Sequence, residues 1–352
     1  MKEQNMKNRK RKKRLTKKQR QKRKIIFTII ALILMLLLLA VAFVASKLGK
    51  LDKQELTDVG INDDLDDDSL KGYTTLALFG VDNRSNGNFK SGNSDTMIIA
   101  SINNKTGEIK MCSLYRDTYL DVVGDNTFRK ANAAYQKGGA EQAVRMMNRN
   151  LDLNITDYVA VDFNALVEVI DLLGGVEIDV TDEEAPLVNG YAEEITKVTG
   201  KTTSEIGPGT QTLDGVQATA YARIRYTTGW DYKRTERQRL VLTKMFEKAK
   251  GASLTTLNDI MDQALPDVST SLSTTELLGM MMKMGKYNMG DNTGFPFDKT
   301  SADVGSLGST VVAIDLAANV KQLHEFLYND ESYTVSGTVQ GISDTIHNDL
   351  GY

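Results

Sequence analysis

The sequence holds one cysteine, Cys112, and two histidines, His324 and His347. A single cysteine excludes an intramolecular disulfide, so stability must come from packing alone. His324 lies in a helical run and His347 near the C-terminus, which leaves almost no material for a Ser–His–Asp triad or a His-rich zinc site. Acid is nearly missing from Met1 to Lys24, where Glu3 stands against 14 Lys or Arg. The rest of the chain reverses the balance, with 45 acidic and 29 basic residues. Two environments are implied.

Between them lies IIFTIIALILMLLLLAVAFVA, Ile25 to Ala45, 21 residues without a charge. At about 1.5 Å per residue this run can cross a hydrocarbon core of about 30 Å. A cleaved signal peptide has a shorter apolar core, roughly 7–15 residues. VAFVAS resembles a cleavage site, so cleavage stands as the alternative to a retained span. The basic tract alone would suit nucleic acid or nuclear targeting. Beside a span, the positive-inside rule and attraction to anionic lipid explain it better.

The 352 residues allow one or two domains. The expected organisation is a basic cytoplasmic tail at 1–24, a transmembrane helix at 25–45 and an acidic stalk at 46–71. A folded extracellular domain at 72–330 and a polar, loosely attached tail at 331–352 follow. The stalk sequence LTDVGINDDLDDDSLKG reads as a flexible solvated spacer rather than a metal site, because nothing positions its carboxylates.

From Tyr73 onward, TTLALFGV, TMIIASI and IKMCSL are strands, with NNKTGE a hairpin turn between the last two. AEQAVRMMNRNL and NALVEVIDLL are amphipathic helices flanking the strand YVAVDF. Gly174–Gly175 stops the second helix before the strand VEIDV. Residues 181–212 read as a long polar loop. LDGVQATAYA is helical with Asp214 as cap, and a further helix runs from about Thr235 to Ala249. Ser273 and Glu276 form a capping box. Strands and helices alternate without repeats, which predicts a three-layer α/β/α sandwich with a mixed central sheet behind one N-terminal transmembrane helix.

After the apolar run, positive charge gathers in YARIRYTTGWDYKRTERQR, Tyr221 to Arg239. Arg223 and Arg225, two apart in an extended segment, project to one side and repel unless an anion or carboxylates separate them. Stepping back along the next helix from Val241 or Leu242 gives Gln238 and Arg234, so these two continue its inward stripe. Forked guanidinium donors near a helix start describe a phosphate-sized anion site. The bland alternative is a solvated basic face, and Lys233, Arg237 and Arg239 are read as such surface charge. GVDNR and NSDTM place Asp82 and Asp95 at strand ends, where two carboxylates near phosphates would suit Mg²⁺ or Mn²⁺. Singly, each is an ordinary turn or capping residue. SLYRDT and RKANAAY add Arg116, Asp117 and Lys130 after strand ends. No nucleic-acid surface is expected, because the exported part is acidic and lacks a basic stripe with interleaved aromatics.

The ordered set GVDNR, SDTM, SLYRDT, KANAAY, DFNALVEVIDLLGGVEIDV, LDGVQATAYARIRY and DYKRTERQR resembles the LytR–CpsA–Psr proteins of Gram-positive cell envelopes, over about Tyr73 to Gly251. The resemblance implies a membrane-anchored phosphotransferase. It would move a glycopolymer from an undecaprenyl-pyrophosphate carrier to the MurNAc 6-hydroxyl of peptidoglycan as a phosphodiester. By motif, Arg116, Arg223, Arg225, Asp231 and Arg234 would be catalytic, Lys130, Gln238 and Arg84 substrate-binding, and Asp82 and Asp95 ligands of Mg²⁺ or Mn²⁺. The implied partners are the lipid-linked glycopolymer, peptidoglycan and membrane lipid. Tyr115 stands where the family usually has Pro, and Trp230 and Lys233 where it usually has Gly. Two other readings remain: a membrane-bound transcriptional attenuator, and a scaffold that holds polyprenyl pyrophosphate without turnover.

Overall fold

The computed structural model describes residues 35, 41–82, 89 and 93–352, with Asp82 and Asn93 described by their backbone alone. The basic tail, most of the 25–45 span, Arg84 and the Asp82 side chain lie outside the described residues. Residues 41–48 are helical, and no helix among the described residues is long and apolar enough to cross a membrane.

The chain from residue 48 onward is mixed α/β. In order it runs through β1 (Asp52–Lys53), β2 (Tyr73–Asp82), β3 (Asn93–Asn103), β4 (Glu108–Leu114), β5 (Tyr119–Asp121), β6 (Phe128–Lys130) and helix α1 (Ala133–Leu151). Next come β7 (Asp157–Val161), α2 (Phe163–Leu172), β8 (Val176–Val180), α3 (Glu184–Thr199), β9 (Gly209–Leu213), α4 (Gly215–Tyr221) and α5 (Trp230–Lys250). It ends with α6 (Leu254–Gln263), β10 (Val268–Thr270), α7 (Thr274–Lys283), β11 (Asn288–Phe295), β12 (Lys299–Asp303), β13 (Ser309–Ala313), α8 (Leu316–Tyr328) and α9 (Gly337–Leu350).

Among the described residues, a seven-stranded sheet has the order β1-β10-β7-β2-β3-β4-β11. It is mixed: β2 pairs β3 antiparallel and β7 parallel. Strand alternation sends Ala77, Phe79, Met97, Ile99, Cys112 and Leu114 to one face. There they pack with residues of α1, α8 and α9 in the largest core. The other face carries Leu76, Ile98, Ala100, Ile102 and Met111, grouped in two small clusters. A further core joins β8, β9, α2, α3 and α4, with Val241 of α5 added.

Three sequence expectations are corrected. The acidic segment at 46–71 is not a free spacer. β1 pairs β10, Thr57 Oγ1 donates to Glu141 of α1 at 2.7 Å, Arg145 pairs Asp58, and Asn62 Nδ2 donates to Asp152 at 2.6 Å. Leu70 is fully buried in the largest core, with Leu56, Val59 and Leu65 packed against it. The polar loop at 181–212 contains α3, whose Ala185, Val188, Ala192 and Ile195 keep a helical period and are buried. Pro186 falls in the first turn, where a missing N–H costs no helical bond. The tail at 331–352 contains α9, capped by Ser336 and burying Val339, Ile342 and Ile346. In each case a few apolar residues at regular spacing outweigh a polar composition.

Candidate functional site

Between the second face of the sheet and the α2–α5 side lies a cavity of about 720 Å³. Its inner walls are apolar, formed by Leu78 and Ile98 of the sheet, Leu166, Leu187, and Val241 with Leu242 of α5. Asp95, Arg116, Arg223, Arg225, Arg234 and Gln238 line it as well. The cavity therefore offers cationic donors together with a sizeable apolar volume.

Each charged residue is set by its element. Asp95 sits near the start of β3. Its carboxylate accepts from Arg116 Nη1 at 2.6 Å and from Arg225 Nη2 at 3.0 Å, and its carbonyl accepts from Arg234 Nη2 at 3.2 Å. Burial pushes the Asp95 carboxyl upward, but Arg116, with Arg234 and Arg225, outweighs that and holds it below the usual carboxylate range. Burial draws Arg116 down, but Asp95, with Asp231 and Asp117, outweighs that and raises its guanidinium above its ordinary value.

Arg234 is 2 % exposed on the first turns of α5. Asp231, one turn earlier, contacts Arg234 Nη2 at 2.9 Å and lies 3.8 Å from Arg116 Nε. Burial draws Arg234 down to about 10; Asp231 resists, while Arg116 and Arg225 add to the fall. It remains charged at neutral pH. Arg234 Nε and Gln238 Oε1 are buried without a hydrogen-bond partner among the described residues. Buried polar atoms left in this state are costly, and a ligand in the cavity would relieve the cost.

Arg223 and Arg225 do not lie in a strand. They follow α4 in a turn, where Arg223 N–H bonds Ala220 C=O. Both still reach the cavity, separated by carboxylates: Asp95 holds Arg225, and Glu194 of α3 meets Arg223 at 3.2 Å. Arg223 also lies over Phe163 and Tyr191, 4.9 and 5.6 Å from their centroids. Glu194 and Tyr191 were missed because α3 read as loop; its i, i+3, i+7 apolar spacing was the available signal.

The expectation for Arg237 and Arg239 is overturned. Arg237 is buried, donating to Glu184 at 2.8 Å and to Thr227 at 2.8 Å. Arg239 is buried against the sheet, donating to Ser113 at 2.6 Å and Asn292 at 2.8 Å. α5 is packed on several sides, so its basic residues are divided among separate buried partners. Only Lys233 of the three is surface charge, paired with Glu236.

Lys130 does not line the cavity; it pairs Asp117 at 3.3 Å, and Asp117 lies 3.5 Å from Arg116 Nε. Tyr115 packs edge-on against Tyr232, with Lys299 over both rings. Burial pushes the Tyr115 hydroxyl up to about 12. Lys233 sits inside α5, so no positive φ is asked of it; the positive values fall on Gly229 and Trp230. Among the described residues no group of three or more His, Cys, Asp or Glu is placed to hold a metal. Asp95 is the described member of the expected pair, and both of its carboxylate oxygens already accept from arginines.

In sequence and fold the chain is similar to known proteins. The polyisoprenyl-teichoic acid–peptidoglycan teichoic acid transferase TagU of Enterococcus faecalis is 31% identical over 207 residues, 58% of this chain and 63% of its own. TagV of Bacillus subtilis, a transferase of the same description, is 32% identical over 198 residues, 54% of this chain and 48% of its own. These matches thus span less than two thirds of either relative. The crystal structure of protein gbs0355 from Streptococcus agalactiae is similar with a TM-score of 0.63 and 26% identity, covering 76% of this chain and 92% of that one. The LytR_cpsA_psr family pattern matches residues 39–298. The chain belongs to the LytR_cpsA_psr family.

Proposed function

We propose that this protein transfers a glycopolymer from a polyprenyl-pyrophosphate carrier, of the undecaprenyl class, to a peptidoglycan hydroxyl, the MurNAc 6-hydroxyl. The observation that carries this reading is the cavity itself. Arg116, Arg223, Arg225 and Arg234 line a space of about 720 Å³ whose remaining walls are largely apolar. Such a space suits an anionic head joined to a long apolar chain. The names of the TagU and TagV relatives supply the reaction class.

In the step proposed, the acceptor hydroxyl oxygen attacks the sugar-bearing phosphorus. The bond from that phosphorus to the bridging oxygen breaks, and the lipid leaves as its monophosphate. The hydroxyl proton passes to a base, and a phosphodiester remains. Such a reaction depends on positioning and charge stabilisation rather than on a protein nucleophile. The arginines would hold the phosphate oxygens and meet the charge that develops on the leaving group. Gln238 would add a neutral donor. Asp231, touching Arg234 and near Arg116, would orient both guanidinium groups and stand beside the incoming hydroxyl. Lys130 would act at the edge of the site through Asp117, and Arg84 would contact substrate from the segment after β2.

Asp95 would hold Mg²⁺ or Mn²⁺ with Asp82, which precedes it across the strand pair, where Asp82 faces Asn93 in register. A carboxylate oxygen that accepts one arginine bond keeps a second lone pair, and phosphate oxygens are the usual remaining ligands. Bound there, the ion would offset phosphate charge. The fold would be a three-layer α/β/α sandwich at 72–330. A span at 25–45 would tether it outside the membrane with the 1–24 tail in the cytoplasm, keeping the site near a lipid-borne donor.

The test is full-length protein in vesicles with lipid-linked donor, peptidoglycan and Mg²⁺. Polymer joined to peptidoglycan through a phosphodiester is the expected product. Donor binding without any product would overturn the transferase and leave the scaffold.

A further inference from the structure

The geometry points to a sugar platform beside the arginines, built from Tyr226 and Trp230; this rests on the diphosphate reading of the cavity. Tyr226 is 68 % exposed and Trp230 66 % exposed. Their ring centroids are 6.3 Å apart at 75°, forming an open corner rather than a flat stack. Tyr226 lines the cavity next to Arg225, so the corner opens where the charged part of a ligand sits.

The backbone is shaped to present these rings. Gly229 and Trp230 take φ values of +95° and +45° in succession. Among the described residues the other non-glycine residues at positive φ are Asn or Asp, which tolerate it; Trp230 is the exception. Trp230 N–H bonds Thr227 C=O at 3.0 Å, and Lys233 N–H bonds Gly229 C=O at 3.3 Å, fixing the turn. A Cβ at Gly229 would meet Lys233 Cγ at 2.6 Å, so this turn needs glycine there. A bulky aromatic held in a disfavoured conformation and left in water gains nothing for folding, which suggests that it serves a ligand.

The ligand class follows from position and chemistry. With the lipid in the apolar part of the cavity and the diphosphate on the arginines, the next group outward is the sugar on the terminal phosphate. A pyranose ring has an apolar C–H face and a polar rim, which suits an aromatic face beside charged side chains. A bilayer surface would require the apolar strip to continue along α5. Instead the next exposed positions are Lys233 and Glu236, paired at 2.6 Å.

Trp230 is the single tryptophan of the chain, so its emission reports on the platform directly. Full-length protein in phosphatidylcholine nanodiscs is titrated with geranylgeranyl diphosphate, and with the same lipid carrying one glucose on its terminal phosphate. Wild type should bind the glucosylated lipid about tenfold more tightly, with a shift of Trp230 emission that the sugar-free lipid does not cause. By calorimetry, Trp230→Gly, which suits the positive φ, should lose that gain, and Trp230→Phe should restore most of it. Tyr226→Leu should reduce the gain as a second variant away from the strained backbone. A gain that persists in Trp230→Gly, or equal affinity of wild type for both lipids, overturns the platform and leaves the diphosphate reading intact. Failure of wild type to bind either lipid overturns that reading and the platform together. A blue-shifted Trp230 emission on moving from detergent into nanodiscs without either lipid assigns the rings to the bilayer surface and overturns the sugar.

Discussion

The two faces of the central sheet are made from similar residues and finished differently. On one, α1, α8 and α9 close over Phe79, Met97, Ile99 and Leu114 in a single large core. On the other, Leu76, Ile98, Ala100 and Met111 fall into small clusters, and about 720 Å³ stays open between the sheet and the α2–α5 side. The filled face accounts for stability, while the open face leaves apolar surface and buried charge without full compensation. Among the described residues Arg234 Nε and Gln238 Oε1 lack partners there; on the filled side His324 Nδ1 lacks one too, but the buried charge of Asp152 is met by Tyr333, Ser336 and Asn62. A protein sheds such costs unless the space is used.

The difference can be measured most directly by paired truncation. Leu323→Ala in the filled core should cost about 2–5 kcal/mol, because its neighbours cannot collapse into the gap. Leu242→Ala on the cavity wall should cost about 1 kcal/mol, since that side chain already borders open volume. Urea midpoints at constant m would report both, and equal costs would show that the two faces are packed alike. Next in size is Arg234→Met. Loss of one preorganised donor should lower transfer about 10²–10³-fold, while the thermal midpoint holds or rises because burial, with Arg116 and Arg225, already disfavours the Arg234 charge in the folded state. A fall in midpoint matching the fall in activity would make Arg234 structural.

The smallest effect concerns acid. The Asp95 carboxyl is held below its ordinary value, so its contribution is fully present above the unfolded-state value of about 4 and is lost as pH falls through the lowered folded value. Asp95→Asn should flatten the acid limb of stability below about pH 4 relative to wild type. Identical limbs would remove Asp95 from the charge network that sets the open face apart.

Much of this was legible in residue order. The alternating runs of β2, β3 and β4, the Asp214 cap and the Ser273–Glu276 capping box follow from local chemistry and recur in the structure. So does the inward pairing of Arg234 with Gln238, which needs only a helical period. The departures in the acidic segment, α3 and α9 share one reason: apolar spacing outweighs polar composition. The acidic segment, α3 and α9 are polar on average, yet each places a few apolar side chains at positions that the core covers. Arg237 and Arg239 read as surface charge because their partners, Glu184 and Ser113, lie 53 and 126 residues away.

By itself the sequence determined the alternating runs of β2, β3 and β4, the capped helix starts at Asp214 and Ser273, the inward stripe of Arg234 with Gln238, and that Arg223 and Arg225 need an anion or carboxylates to coexist. Those are consequences of periodicity, capping and Coulomb repulsion, all short in range. Only the tertiary structure decided which carboxylate meets which arginine, that the second face of the sheet stays open, and that Trp230 is turned outward beside the charged end of the cavity. These depend on groups distant in sequence meeting in space, and no local pattern encodes the volume left between them.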